Sequence, residues 1–143
     1  MFIGEYSHTI DEKGRMAIPA KVRRNLGTGA VVTRGLDTCL WLFPKVQWDE
    51  LAKKLAQLPM TDPNSRAFSR LMLAGAMEVE FDSQGRILLP AYLRDFAALK
   101  KNTVIAGLYN RLEIWDAKAW ETYKTKTEKE SDTIAARMSD LGI

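Results

Sequence analysis

An internal repeat limits the folds that this chain can adopt. At a constant offset of 71 positions, residues 11–23 (DEKGRMAIPAKVR) align with residues 82–94 (DSQGRILLPAYLR). Downstream the offset becomes 72, where GLDTCLWLFPKVQW from Gly35 aligns with GLYNRLEIWDAKAW from Gly107. Each unit has about 45 residues, which is too few to bury a stable core alone. We therefore expect two units that pack their apolar faces together about a pseudo-twofold axis.

Each unit predicts the element order β-turn-β-α-β-β, and hence an α+β fold that is mainly β. The segment Asp-x-x-Gly-Arg, which starts at Asp11 and Asp82, is typical of a tight turn. Its Asp can accept backbone N–H bonds and its Gly can adopt a positive φ. Three apolar residues then predict a short strand that ends at Pro19 or Pro90. Proline suits the first position of a helix, and in the first unit this helix is predicted over residues 20–26.

Two segments outside the aligned units have apolar residues at helical spacing. One runs from residue 45 to Pro59, and Asp62-Pro63 then predicts a helix start. The other follows Asp116. These stripes pack either on the repeat core or on a partner subunit. The predicted division is repeat 1 over 5–47, a helical connector over 48–75, repeat 2 over 76–119 and a C-terminal helical tail over 120–143.

The composition fits a globular protein and excludes several other classes. The chain is 46% apolar and 27% charged, which is unlike a disordered tail. Its longest apolar run, Cys39 to Phe43, is too short to span a bilayer. The first residues lack the basic and apolar regions of a secretory signal. The single cysteine excludes an internal disulfide and fits a reducing cytosol. We expect a cytoplasmic protein without a membrane partner.

No set of residues in the sequence forms a recognisable catalytic or metal-binding motif. There is one histidine, His8, and one cysteine, Cys39, and they lack metal-ligand spacing. A Gly-rich phosphate loop is also missing. Asp11 and Asp82 are conceivable as an acid–base pair across the axis, but a capping role at the head of each turn explains them more simply. We expect no enzyme activity, no cofactor, no metal and no small-molecule substrate.

Positive charge is concentrated in the first repeat. The net charge is +3, but residues 1–71 carry +4 and residues 72–143 carry −1. One acid-free stretch of the first repeat holds five cations: Lys13, Arg15, Lys21, Arg23 and Arg24. Such a stretch is a candidate phosphate-binding surface, and a solvated face is the alternative.

An arginine follows the turn glycine in both units, at Arg15 and Arg86. Planar guanidinium groups suit phosphates and guanine edges. The alternative role is a salt bridge to the turn Asp, and the two roles are compatible. In the second unit Gln84 replaces Lys13 and Tyr92 replaces Lys21. This difference predicts a footprint that lies mostly on the first repeat.

These segments resemble the MraZ family, which has two SpoVT-AbrB-type domains in tandem. The resemblance covers nearly the whole chain, through MFIGEY, DEKGRMAIPAKVRR, TRGLDTCL, DSQGRILLPAYLR and NRLEIWD. It implies a pseudo-twofold swapped-hairpin β-barrel with added helices, sequence-specific binding of double-stranded DNA and assembly into a homo-oligomeric ring. It also implies regulation of transcription at the nucleoid, typically of the bacterial division and cell-wall gene cluster, through short repeated sites upstream.

The resemblance also implies which residues contact DNA. The motif match gives Arg15 and Arg86, and the related AbrB-type pattern adds Arg23 and Arg24. Lys13 and Lys21 extend the same basic stretch. The counterpart of Arg24 in the second unit is the acidic Asp95, which argues against DNA contact at that position. The alternative function is a non-catalytic assembly protein or an AbrB-like antitoxin that binds a protein partner.

Overall fold

The computed structural model describes all of residues 1–143 and has an α+β fold with mainly antiparallel strands. The first half contains β1 (Phe2–Thr9), β2 (Arg15–Ala17), α1 (Ala20–Leu26), β3 (Ala30–Arg34), β4 (Leu40–Pro44), α2 (Lys45–Ala56), α3 (Pro63–Ser69) and a π-helical turn (Arg70–Ala74). The second half contains β5 (Met77–Val79), β6 (Arg86–Leu88), α4 (Ala91–Phe96), β7 (Asn102–Tyr109), β8 (Leu112–Asp116), α5 (Ala117–Lys129), α6 (Ser131–Arg137) and a 3-10 turn (Ser139–Leu141). Both halves follow the predicted order β-turn-β-α-β-β.

The two repeats exchange strands. The main sheet has the order β1-β7-β8-β4-β3-β5, and β2 pairs with β6 in a separate two-stranded sheet. The first strand of each repeat therefore pairs with a strand of the other repeat. Under the repeat offset β1 corresponds to β5, β3 to β7 and β4 to β8, so the order is the same from either edge. A pseudo-twofold axis relates the two halves.

The axis passes through two residue pairs. In the main sheet Trp41 pairs with Glu113, and in the small sheet Met16 pairs with Ile87. Both pairs join positions that are equivalent under the offsets of 72 and 71. Both sheets therefore contain strands from both repeats, and neither repeat forms either sheet alone.

One apolar core unites the repeats. Its 18 buried residues come from all eight strands, from α1 and α4, and from four positions that directly follow one of these elements: Ile10, Ile18, Leu89 and Ala97. Met16 and Ile87 lie at its centre on the axis and are 0% and 1% exposed. Helices α2, α3, α5 and α6 contribute nothing to this core. The mutual burial of two short units, expected from their size, is confirmed.

Local signals in the sequence define several boundaries correctly. Helix α1 has the predicted bounds and ends at Gly27, whose φ is +79°. Asp62 caps α3 through a bond from the Ser65 N–H at 2.8 Å. The prediction for Pro19 and Pro90 is wrong by one residue, because both have extended ψ values, 140° and 156°, and precede the first helical residue.

The strand pairing leaves the main sheet open. Its edges are β1 and β5, which do not pair with each other. None of the helices combines the length and the apolar content that crossing a membrane requires.

Candidate nucleic-acid interface

The first Asp-x-x-Gly-Arg turn is held by its own aspartate. Asp11 Oδ1 accepts the backbone N–H groups of Lys13 and Arg15, both at 2.9 Å. Asp11 Oδ2 lies 2.7 Å from Arg15 Nε. Gly14 supplies the left-handed residue, with a φ of +87°. The turn therefore fixes both the backbone of Arg15 and the direction of its guanidinium.

The second turn has the same geometry. Asp82 Oδ1 accepts the backbone N–H groups of Gln84 and Arg86, both at 2.9 Å, and its Oδ2 lies 2.8 Å from Arg86 Nε. Gly85 has a φ of +74°. The capping role predicted for both aspartates is confirmed, and so is the salt bridge that the sequence left as an alternative role for both arginines.

Hydrogen bonds lower the pKa values of these two aspartates. The backbone N–H of Arg15 is the largest influence that lowers the pKa of Asp11, and the backbone N–H of Arg86 does the same for the pKa of Asp82. Both carboxylates are therefore ionised near neutral pH. A general acid needs a pKa raised toward the working pH, so this pair has the electrostatics of a cap and not of an acid–base site.

The two turns meet on one face of the molecule. Arg86 Nη1 lies 3.9 Å from Asp11 Oδ2, so an arginine of repeat 2 reaches the aspartate of repeat 1. The side chains of Arg15 and Arg86 remain 35% and 25% exposed. In each short salt bridge the aspartate contacts Nε. The terminal guanidinium nitrogens can therefore donate hydrogen bonds to an anion on this face.

Strand exchange places Arg23 against the turn of the other repeat. A Cβ atom on Gly85 would collide with the Arg23 guanidinium. The sequence groups Arg23 with the basic stretch of the first repeat, but the structure places its guanidinium at the turn of the second repeat. Arg23 belongs to repeat 1, but its guanidinium lies at Gly85, the residue that precedes Arg86.

The remaining predicted residues are distributed around α1 and the first turn. Lys13 is exposed within the first turn, and Arg24 is exposed on α1. Lys21 is exposed and lies with Phe2 and Tyr6 beside the start of β1. Lys21 and Arg23 are two positions apart in α1, a rotation of about 200° that directs them to nearly opposite sides of the helix. The turns thus gather Lys13, Arg15, Arg23 and Arg86, whereas Lys21 lies apart from them.

Sequence reasoning missed three cations near the first turn. The Arg94 guanidinium lies against Gly14. Lys100 and Lys101 line a hollow of about 460 Å³ beside Asp11, together with Arg94. The repeat itself contained a signal for Arg94, because it matches Arg23 at the offset of 71. Lys100 and Lys101 had no such signal, since their proximity depends on long-range strand pairing.

Comparison with known proteins agrees with the duplicated architecture. Residues 1–71 and 72–142 each match the model of one family, described as "MraZ protein, putative antitoxin-like". This chain belongs to the MraZ family. Its relatives include the transcriptional regulator MraZ of Halothermothrix orenii, 52% identical, that of Alkaliphilus oremlandii, 49% identical, and that of Natranaerobius thermophilus, 48% identical. Each comparison covers 143 residues and the whole of both chains. All three MraZ relatives are named as regulators of transcription, and none is named as an enzyme.

Proposed function

We propose that this chain is a sequence-specific DNA-binding regulator of transcription that acts as a homo-oligomeric ring. One observation carries the proposal: the two Asp-x-x-Gly-Arg turns meet on one face, with Arg86 Nη1 3.9 Å from Asp11 Oδ2. Two oriented guanidinium groups lie there side by side. The names of the MraZ relatives agree with this role.

The proposed face suits duplex DNA in shape and in chemistry. The β2–β6 sheet follows both turns directly, and the major groove of B-DNA admits a two-stranded ribbon. Arg15 and Arg86 have their Nε atoms bound to aspartate. Their terminal nitrogens are left to donate to phosphate oxygens or to guanine O6 and N7. We assign Lys13, Arg23 and Arg24 to supporting contacts with the DNA backbone, whereas Lys21, which lies apart from the turns, is not assigned such a contact.

One face of this size predicts modest affinity. About four to six phosphate neutralisations give a slope of roughly −4 to −5 in a plot of log affinity against log salt concentration. Several such faces on one ring can bind several short repeated sites together, which raises the apparent affinity through effective concentration. We propose the division and cell-wall gene cluster as the target, through sites upstream of it, and the cytoplasmic nucleoid as the location.

Exposed apolar surface supports self-association. Helix α6 and the 3-10 turn bury no residue within the chain, and Ile134 and Leu141 are 38% and 71% exposed. The connector helices enclose a hollow of about 260 Å³ whose lining includes Leu55, Leu58 and Arg70. We propose that residues 45–75 and 116–143 supply the contacts between subunits.

Strand exchange also supports the finer description of the fold. We propose that the repeats form a pseudo-twofold swapped-hairpin barrel, divided as repeat 1 (5–47), connector (48–75), repeat 2 (76–119) and tail (120–143). The exchange of β1 and β5 between the repeats supports this description.

The test is footprinting on DNA upstream of the chain's own gene, with mass measurement of the assembly in solution. We expect protection of short repeated sites, a strong salt dependence and loss of protection in the double variant Arg15→Ala/Arg86→Ala. The control variant Lys118→Ala/Lys126→Ala removes the same charge from exposed positions of α5. Because α5 lies in the proposed subunit-contact segment, the mass measurement first establishes that the assembly of this variant is unchanged, and the footprint should then be kept. Full DNA affinity in a folded Arg15→Ala/Arg86→Ala protein would refute the proposed face.

The family description favours a second candidate, an AbrB-like antitoxin or non-catalytic assembly protein whose turns bind a protein partner. The same experiments separate the two candidates. Retention on DNA that weakens with salt supports the regulator. Binding to a protein partner that is insensitive to salt, without retention on DNA, supports the alternative.

A further inference from the structure

The back of the first turn is covered by an arginine of the other repeat. Gly14 belongs to repeat 1 and is buried. A Cβ atom at Gly14 would lie 2.9 Å from both Nε and Cζ of Arg94, which is on α4 of repeat 2, and 2.7 Å from the Leu89 carbonyl oxygen. Only glycine fits in this space, and the guanidinium fills what is left of it.

Arg94 is held in this position by hydrogen bonds. Its Nε donates to the Leu89 carbonyl oxygen at 3.0 Å, and the Leu89 N–H donates to the Gly14 carbonyl oxygen at 2.8 Å. Arg94 is half-buried, and its side chain bonds to one backbone atom, the Leu89 carbonyl oxygen. The arginine and the Leu89 backbone thus support the first turn from behind.

The second turn has the reciprocal arrangement. Arg23 on α1 of repeat 1 lies against Gly85 of repeat 2, where its terminal Nη1 takes the space of a Cβ, whereas at Gly14 the nearest guanidinium atoms are Arg94 Nε and Cζ. The Ile18 N–H donates to the Gly85 carbonyl oxygen at 3.1 Å. Each turn is therefore supported by the helix arginine of the opposite repeat.

We propose that Arg94 is a positioning residue for DNA contact by Arg15, and that Arg23 is a positioning residue for Arg86. The inference rests on the proposed DNA-binding function and deepens it. Arg23 can also touch the DNA backbone, but its support of Gly85 is a separate role. DNA affinity depends on how well each turn is ordered before binding.

Glycine with a positive φ leaves a turn with high conformational freedom. Without the guanidinium behind Gly14, the first turn keeps the Asp11 cap and the bond from the Leu89 N–H but loses the side chain that packs against its glycine. The turn must then be ordered on binding, which reduces the net free energy that the Arg15 contact contributes. The loss of DNA affinity on removal of Arg94 should therefore appear only in a chain that still has Arg15. The dependence is crosswise, because Arg94 of repeat 2 affects Arg15 of repeat 1.

Double-mutant cycles on a single-site duplex from the footprinted region test this pairing. We expect Arg94→Ala alone to weaken DNA binding about fivefold, with an effect below about twofold in an Arg15→Ala background. The fivefold loss should persist in an Arg86→Ala background. Arg23→Ala should weaken DNA binding about fivefold alone and in an Arg15→Ala background, and by less than about twofold in an Arg86→Ala background. Equal effects of Arg94→Ala in both backgrounds would overturn the proposal.

Two further measurements separate support of the turn from direct contact with phosphate. Loss of a phosphate contact reduces the salt slope by about 0.9, whereas loss of support leaves it unchanged. Arg94→Lys keeps the charge but lacks the planar group and the Nε donor. We expect it to bind DNA as weakly as Arg94→Ala. Full affinity in Arg94→Lys, or a smaller slope in Arg94→Ala, would mean that Arg94 acts through its charge.

Amide hydrogen exchange tests the pairing without DNA. We expect Arg94→Ala to speed exchange at the Lys13 and Arg15 amides, which are bound to Asp11, by about tenfold, and to leave Gln84 and Arg86 unchanged. Failure of this local effect overturns the crosswise support, whereas failure of the wild-type chain to bind DNA overturns only the proposed function. Arg94→Met keeps an unbranched apolar stem but removes the guanidinium, and it replaces Arg94→Ala where the latter does not fold.

Discussion

The carboxylate of Glu113 joins the two repeats at the pseudo-twofold axis. Its Oε2 accepts the Trp41 indole N–H at 2.9 Å, and its Oε1 accepts the Trp115 indole N–H at 3.0 Å. Its side chain is 14% exposed. We expect Glu113→Gln, which changes neither size nor shape, to destabilise the fold strongly.

The magnitude follows from counting donors and acceptors. A carboxylate accepts at both oxygens, but an amide has one acceptor and one donor group. In either orientation of Gln the amide NH₂ faces an indole N–H, so one hydrogen bond to a charged group is lost, worth about 1.5–3 kcal/mol. Arg111 Nη2 also lies 3.9 Å from Glu113 Oε2, and removal of that negative charge adds to the loss. We expect a decrease of about 2–4 kcal/mol in the free energy of unfolding.

Urea unfolding followed by tryptophan fluorescence, at one fixed protein concentration, measures this change. The midpoint should fall while the slope with denaturant stays constant. The matched control is Glu78→Gln, whose side chain is 79% exposed and whose ion pair with Lys45 is at the surface. It should change stability by less than about 0.5 kcal/mol. An equally small change in Glu113→Gln would refute the role of this carboxylate in joining the repeats.

Four other predictions concern the turns and a helix cap. Arg15→Ala should weaken DNA binding about tenfold or more in a filter-binding titration, the scale of one good bidentate contact. Arg86→Ala should weaken DNA binding by a similar factor, because Arg23 adjoins its turn. A much smaller loss would indicate that the footprint lies mostly on the first repeat. The pKa values of Asp11 and Asp82 are lowered in the folded chain, so their stabilisation is complete above about pH 5 and is lost as the pH falls below about 4. The difference in urea midpoint between wild type and Asp11→Asn/Asp82→Asn should therefore be constant from pH 8 to pH 5 and shrink in more acid solution. A difference that instead grows in acid would contradict the assigned direction. Asp62→Ala should lower stability by about 1 kcal/mol by removing the cap of α3, and no change in the thermal midpoint would contradict the capping role.

Short-range interactions explain what the sequence alone determined. The turn at Asp11 depends on an aspartate, a glycine and an arginine within five residues, and their spacing predicts the hydrogen bonds and the positive φ that the structure has. The caps at Asp62 and Gly27 are local in the same way. Because each of these features uses neighbours along the chain, one segment contains all the information needed to predict it. The repeat added the second copy of each turn and the expectation of an axis.

Only the tertiary structure decided which turn each cation serves. The sequence places Arg23 eight residues after Arg15, and the natural inference assigns both to one turn. Strand exchange instead moves α1 against Gly85 and moves Arg94 against Gly14. Two units too small to fold separately exchange strands to bury their apolar faces in one core, and no local pattern specifies which strand pairs with which. The repeat determined that the chain has two equivalent turns, and long-range pairing determined that each turn is completed by the other repeat.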